Sequence, residues 1–288
     1  MSTNRDPRFP GIRATLGDDV LDRRRERIDS ELAQIREHPD RQENHFFLAS
    51  AYHSMALELY ALGYEIAEVV ATFRRCVEAR LRVLRLRGTG QYTSTRPPQA
   101  PGDEPVTTEH RDFGTGCSWY GYETACLAHM VDARDLVGEI TRLIWDPPDA
   151  DYVGRRSEIC TPEQQRIAYA LRDLGTPAFE QSRPHLRRIS EAWRVRGFPK
   201  PLAYQAGLLL AIGEGDGPGF LTRLDTLLAW HEQMAEREAN RADRARFLCL
   251  PALGLGALAL AGQTIHPDDL PRDRLYLPTD LIGHSPEE

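Results

Sequence analysis

A chain of 288 residues with a formal net charge of −7, from 36 basic and 43 acidic side chains, is long enough for a large core. It is too acidic for a sequence-independent nucleic-acid binder, which carries a basic excess. Leu, Ala, Arg and Glu dominate its middle and few segments alternate apolar with polar residues, so an all-α fold is expected.

In chain order, residues 1–16 are rich in Arg, Pro and Gly and are expected to form a flexible N-terminus without the apolar core of a signal peptide. "DVLDRRRERIDSELAQIREH" gives a first helix, with Val20, Leu21, Ile28, Leu32 and Ile35 as its apolar stripe. "NHFFLASAYHSMALELYALGY" gives a second, with Asn44 as N-cap and Gly63 at its end. "EIAEVVATFRRCVEARLRVLRLRG" gives a third, whose Ile66, Val70, Phe73, Val77, Leu81 and Leu84 share one face. The short link at Gly63 makes the last two helices antiparallel neighbours, a hairpin that resembles a tetratricopeptide (TPR) unit. Residues 88–112, dense in Pro, Gly, Thr and Ser, read as a long loop.

Helices resume in "CSWYGYETACLAHMVDARDLVGEITRLIW" and break at "DPPDADYVGRR". "TPEQQRIAYALRDLG" opens with a Thr cap, a Pro at the first helical position and a Glu close behind, and ends at Gly175. Further helices are predicted near 178–196, 201–212, 218–239 and 243–262. The apolar run from Phe247 to Gly262 is shorter than the ~20 residues of a membrane span and is broken by proline and glycine, so it reads as a buried helix. Gly63, Gly175, Gly213 and Gly262 follow apolar helix ends at unequal intervals. The prediction is one domain over 17–265 of stacked antiparallel helical hairpins, an irregular TPR-like array, followed by C-terminal coil over 266–288.

Five cysteines, Cys76, Cys117, Cys126, Cys160 and Cys249, are an odd set with no CxxC pair, which favours reduced thiols in the cytoplasm over a disulfide framework. Cys117, Cys126, His129 and His110 match no zinc spacing. "IGEGDGPGF" lacks the Lys and Ser or Thr of a phosphate loop and reads as a helix end, a turn and a new start. "GCSWYG" places its second Gly one position too late for a nucleophile elbow. His45 and His53 are too far apart on one helix to share a ligand. Arg74, Arg75, Arg80, Arg82, Arg85 and Arg87 crowd another helix; they make either an anion-binding stripe or a salt-bridged face, and the interspersed Glu68 and Glu78 favour the latter. No residue is assigned to catalysis, a cofactor or a metal.

Trp230 and His231 lie side by side. His231 falls on the apolar face of Leu224, Leu227, Leu228 and Met234, with Trp230 on its margin. Both are expected to be largely buried, with His231 bonded to a carbonyl or carboxylate. Phe220, Leu224, Leu228, Trp230 and His231, then Phe247, Leu250, Leu253, Leu258 and Ala259, then Tyr276, Leu277, Pro278 and Leu281 together resemble the immunity protein 49 family of bacterial polymorphic toxin systems. The resemblance implies an all-α cytoplasmic protein that neutralises a cognate toxin by stoichiometric occlusion, without a cofactor and without nucleic-acid or membrane partners. The alternatives are a TPR-like scaffold or regulator that binds a peptide, and an enzyme centred on His231 or the Cys117–His129 region. Toxins that grip phosphates tend to be basic, so the acidic, non-helical stretches "WDPPDADY" (Asp146, Asp149, Asp151) and "GEGDG" (Glu214, Asp216) are the candidate contacts.

Overall fold

In the computed structural model, the predicted apolar periodicities become helices. It describes residues 7–9, 12–17, 19–86, 92–96, 106–110, 118–144, 160–237, 243–271 and 274–282. The first part holds α1 (Ile12–Leu16), α2 (Val20–Glu37), α3 (Gln42–Ala61) and α4 (Ile66–Arg85). After a two-stranded hairpin come α5 (Ser118–Met130), α6 (Arg134–Arg142), α7 (Pro162–Asp173) and α8 (Phe179–Glu191). The last part holds α9 (Lys200–Glu214), α10 (Gly217–Ala235) and α11 (Leu250–Ala261). The fold is all-α, as the composition predicts. Among the described residues no helix is long and apolar enough to cross a membrane.

Consecutive helices pack as neighbours: α2 on α3, α3 on α4, α7 on α8, α8 on α9 and α9 on α10. Gly63, at φ 83°, provides the left-handed turn that sends α4 back along α3. Helix α5 lies at the centre and touches α4, α6, α7 and α11. It is buried nearly all round, from Tyr120 and Tyr122 to Met130, so it carries no polar face for water. The start of α7 is a full capping box: the Thr161 hydroxyl accepts from the Gln164 N–H and the Gln164 side chain accepts from the Thr161 N–H. The reciprocating residue is thus Gln164 rather than Glu163.

Several local expectations are corrected. The N-terminal segment is partly anchored: Phe9 and Ile12 are buried, and Arg8 donates to the carbonyls of Tyr60 (2.6 Å) and Tyr64 (3.0 Å), at and just beyond the end of α3. The Tyr60 carbonyl also accepts from the Gly63 N–H at 3.1 Å, and Arg8 adds a side-chain donor at this helix end. Asn44 is not the cap of α3; the helix starts at Gln42, whose side chain donates to the Val83 carbonyl at 3.1 Å, and Asn44 donates to the Gln34 carbonyl at 3.3 Å. Within the predicted loop 88–112, β1 (Tyr92–Arg96) and β2 (Val106–His110) pair antiparallel, from Tyr92 with His110 to Arg96 with Val106. Their threonines suit extended backbone, a preference hidden by the prolines between them.

The helices expected within 117–145 are α5 and α6, and the turn between them is at Asp132, which adopts φ 51°. A short polar side chain tolerates that left-handed turn. Gly213 is not a helix end either. It lies inside α9, where a Cβ would meet the Phe179 ring at 2.1 Å, and the left-handed stop is Gly215 at φ 66°. The C-terminal coil carries short 3-10 turns at Pro267–Asp269 and Thr279–Leu281, and buries Leu270, Leu277 and Leu281 in the main core.

Candidate functional site

A cavity of about 490 Å³ opens between α3, α4, α5, the start of α9, the end of α10 and the segment from 243 to 251. That volume is in the range of small-molecule pockets. One wall comes from α5, where Trp119, Tyr122 and Cys126 are spaced to share a helix face. Trp119 stacks on Tyr122 with centroids 4.5 Å apart and donates its indole N–H to Glu123 at 3.1 Å. The Tyr122 hydroxyl donates to Gln205 of α9 at 3.0 Å. The wall is therefore braced from two sides. Helix α11 presses against it at Gly254, where a Cβ would lie 2.6 Å from the Cys126 carbonyl oxygen; glycine is what allows this approach.

Trp230 and His231 line the opposite side. The imidazole meets the Arg246 carbonyl at 3.1 Å, and since a carbonyl only accepts, Nε2–H is the donor. The expected backbone partner of His231 is therefore present. Its ring packs edge-on to Tyr276 at 5.3 Å, and burial lowers its pKa, which favours the neutral form. Both residues are largely buried, as expected, with a partly exposed outer face that borders the cavity.

The cavity's remaining polar groups differ in how well they are satisfied. His53 of α3 is pushed down to about 3, first by burial and then by the Arg80 charge, and so is neutral at pH 7. Burial pushes the Cys126 thiol up to about 12, so it is protonated and a poor nucleophile. Glu123 accepts from Trp119, and Asp243 caps the next turn by accepting from the Ala245 N–H at 2.9 Å. Arg80, whose side chain is 14% exposed, lies over the Tyr120 ring at 4.7 Å. Its Nη1 is 3.6 Å from Glu123, beyond hydrogen-bond reach, and has no hydrogen-bond partner among the described residues. The same is true of Arg246 Nε, on a guanidinium lying over the Phe247 ring at 5.1 Å.

The residues singled out from sequence distribute differently. Asp146, Asp149, Asp151 and Cys117 lie outside the described residues. Glu214 and Asp216 are not a free loop. Glu214 ends α9 and accepts from Arg187 at 3.0 Å, while Asp216 caps α10 through the Gly219 N–H at 2.9 Å and lies 3.7 Å from Arg223. The open N–H groups of α10 draw Asp216 inward. His129 is pushed down to about 4 by burial, and among the described residues no three His, Cys, Asp or Glu side chains are grouped for a metal. No family model, curated protein or solved structure matches the chain, so its function has to be argued from these residues.

Proposed function

We propose that the chain is an immunity protein that binds a cognate bacterial toxin and blocks it as a stoichiometric partner. One observation carries this reading: the dispersed residues of the immunity protein 49 resemblance meet in space. Phe220, Leu224, Leu228, Phe247, Leu253, Leu277 and Leu281 share one core. His231 packs on Tyr276, and the Tyr276 carbonyl accepts from the Cys249 N–H at 3.0 Å. The three segments of the pattern thus touch at Tyr276. The protonated Cys126 thiol also suits a binding role better than a nucleophilic one.

Glu214 remains a candidate contact, now with company. It lines a surface groove with Tyr204 and with Trp193, which is 42% exposed, and exposed tryptophan is favoured at protein interfaces. Asp216, Asp146, Asp149 and Asp151 complete the candidate set. The test is co-expression with the product of the neighbouring gene, scored for growth rescue and co-purification. Rescue by the wild type that is lost in Trp193→Ala plus Glu214→Arg, with helical circular dichroism intact, is the expected result. Failure of the wild type either to rescue or to co-purify would sink the reading.

A further inference from the structure

We propose that the cavity bordered by Arg80, Trp119, Trp230 and Arg246 is a binding site for a small organic monocarboxylate with an aromatic body. The inference does not rest on the toxin reading, because it follows from which groups in the cavity lack partners. Of the two carboxylates at the wall, Glu123 accepts from the Trp119 indole through Oε1 and holds Oε2 3.6 Å from Arg80 Nη1, beyond hydrogen-bond reach, and Asp243 accepts from a backbone N–H. The two guanidiniums each retain a buried N–H without an acceptor, at Arg80 Nη1 and Arg246 Nε. Leaving a buried donor unmade is costly, and two at one cavity point to an acceptor that the protein does not bring within hydrogen-bond reach.

The chemistry of that acceptor is narrowed by its neighbours. A charged acceptor bonds a guanidinium about twice as strongly as a neutral one. A dianion such as phosphate would be opposed by Glu123, only 3.6 Å from Arg80 Nη1, and His53 is neutral and adds no charge to the two guanidiniums. A single negative charge therefore fits best. The body of the ligand is set by Trp119, held against Tyr122, and by Trp230, which both line the cavity and bring aromatic apolar surface to it.

The experiment is calorimetric titration of the full chain with phenylacetate and cinnamate, with their amides, and with inorganic phosphate. Saturable binding of the acids is expected, with amides and phosphate weaker by about tenfold or more. Arg80→Gln and Arg246→Gln are each expected to weaken the acids by a similar factor, and Trp230→Ala to weaken both acids without restoring phosphate. No saturable binding of either acid at millimolar concentration overturns the proposal. So does equal binding of acid and amide, phosphate binding as tight as that of the acids, or unchanged affinity in both arginine variants. If Arg80→Gln fails to fold by circular dichroism, the comparison of acid with amide on the wild type and the Arg246→Gln variant decide the matter.

Discussion

On the outer face of α4, Arg74 donates to Asp135 of α6 at 3.0 Å, and Arg85 grips Glu139 with Nε at 2.7 Å and Nη2 at 2.6 Å. On its inner face, Arg80 stands over an aromatic ring with a donor unmet. A third arrangement lies nearby: the fully buried Glu58 of α3 accepts from Arg24 of α2, at 3.0 to 3.2 Å, and from Arg244. The same cation thus joins helices at the surface, ties three segments in the interior, and is left open at the cavity. Matched guanidiniums hold the fold. Arg80 reaches Glu123 of α5 only at ion-pair distance, 3.6 Å, and keeps Nη1 without a hydrogen bond, which is a mark of a site shaped for something else.

Three experiments test that contrast. The largest effect is expected at Glu58. Glu58→Ala removes the shared acceptor of Arg24 and Arg244 and should cost about 3 kcal/mol. The low end of the range applies because the two guanidiniums are 25% and 36% exposed and can rehydrate. Urea denaturation measures it, and a loss below about 1 kcal/mol would put this pair in the surface class.

Next comes Arg80. Replacing a buried cation whose nearest carboxylate is beyond hydrogen-bond reach by an apolar side chain of similar length is expected to raise stability, so Arg80→Met should gain about 1 kcal/mol. A clear drop in melting temperature would show that Arg80 is structural and erase the distinction between the faces. The smallest effect belongs to the Arg85–Glu139 pair, whose side chains are 45% and 34% exposed. A double-mutant cycle is expected to give a coupling of about 0.5 kcal/mol that shrinks in high salt.

Much of the fold was legible in the sequence because it is written locally. The apolar steps of α4, the glycine after α3 and the Thr-Pro opening of α7 each specify structure within a few residues. What depends on distant neighbours was not legible. Asn44 looks like a cap, but Gln42 and Asn44 are claimed by carbonyls from two other segments. Asp216 and Glu214 look like a free acidic loop until the arginines of α8 and α10 are brought beside them. The cavity was missed for the same reason, since its walls come from positions as far apart as 53 and 251. One signal was available. Within α4, Arg80 falls three residues after Val77 and seven after Phe73, at the edge of the buried face, whereas Arg75 and Arg82 lie opposite it. An arginine on an apolar stripe needs either a partner or a ligand.

The Tyr60 hydroxyl donates to the Leu275 carbonyl at 2.5 Å, across 215 positions, and Phe9 packs between Tyr60, Phe247 and Tyr276. Order of synthesis gives that contact a consequence. Helices α3 and α4 can pair as soon as they leave the ribosome, since their link is short and their contacts local. The surface around Tyr60 must nevertheless wait, apolar and uncovered, until the chain has been made past residue 276. For most of translation the nascent protein therefore presents a sticky patch, and it is in that interval that a chaperone would be needed.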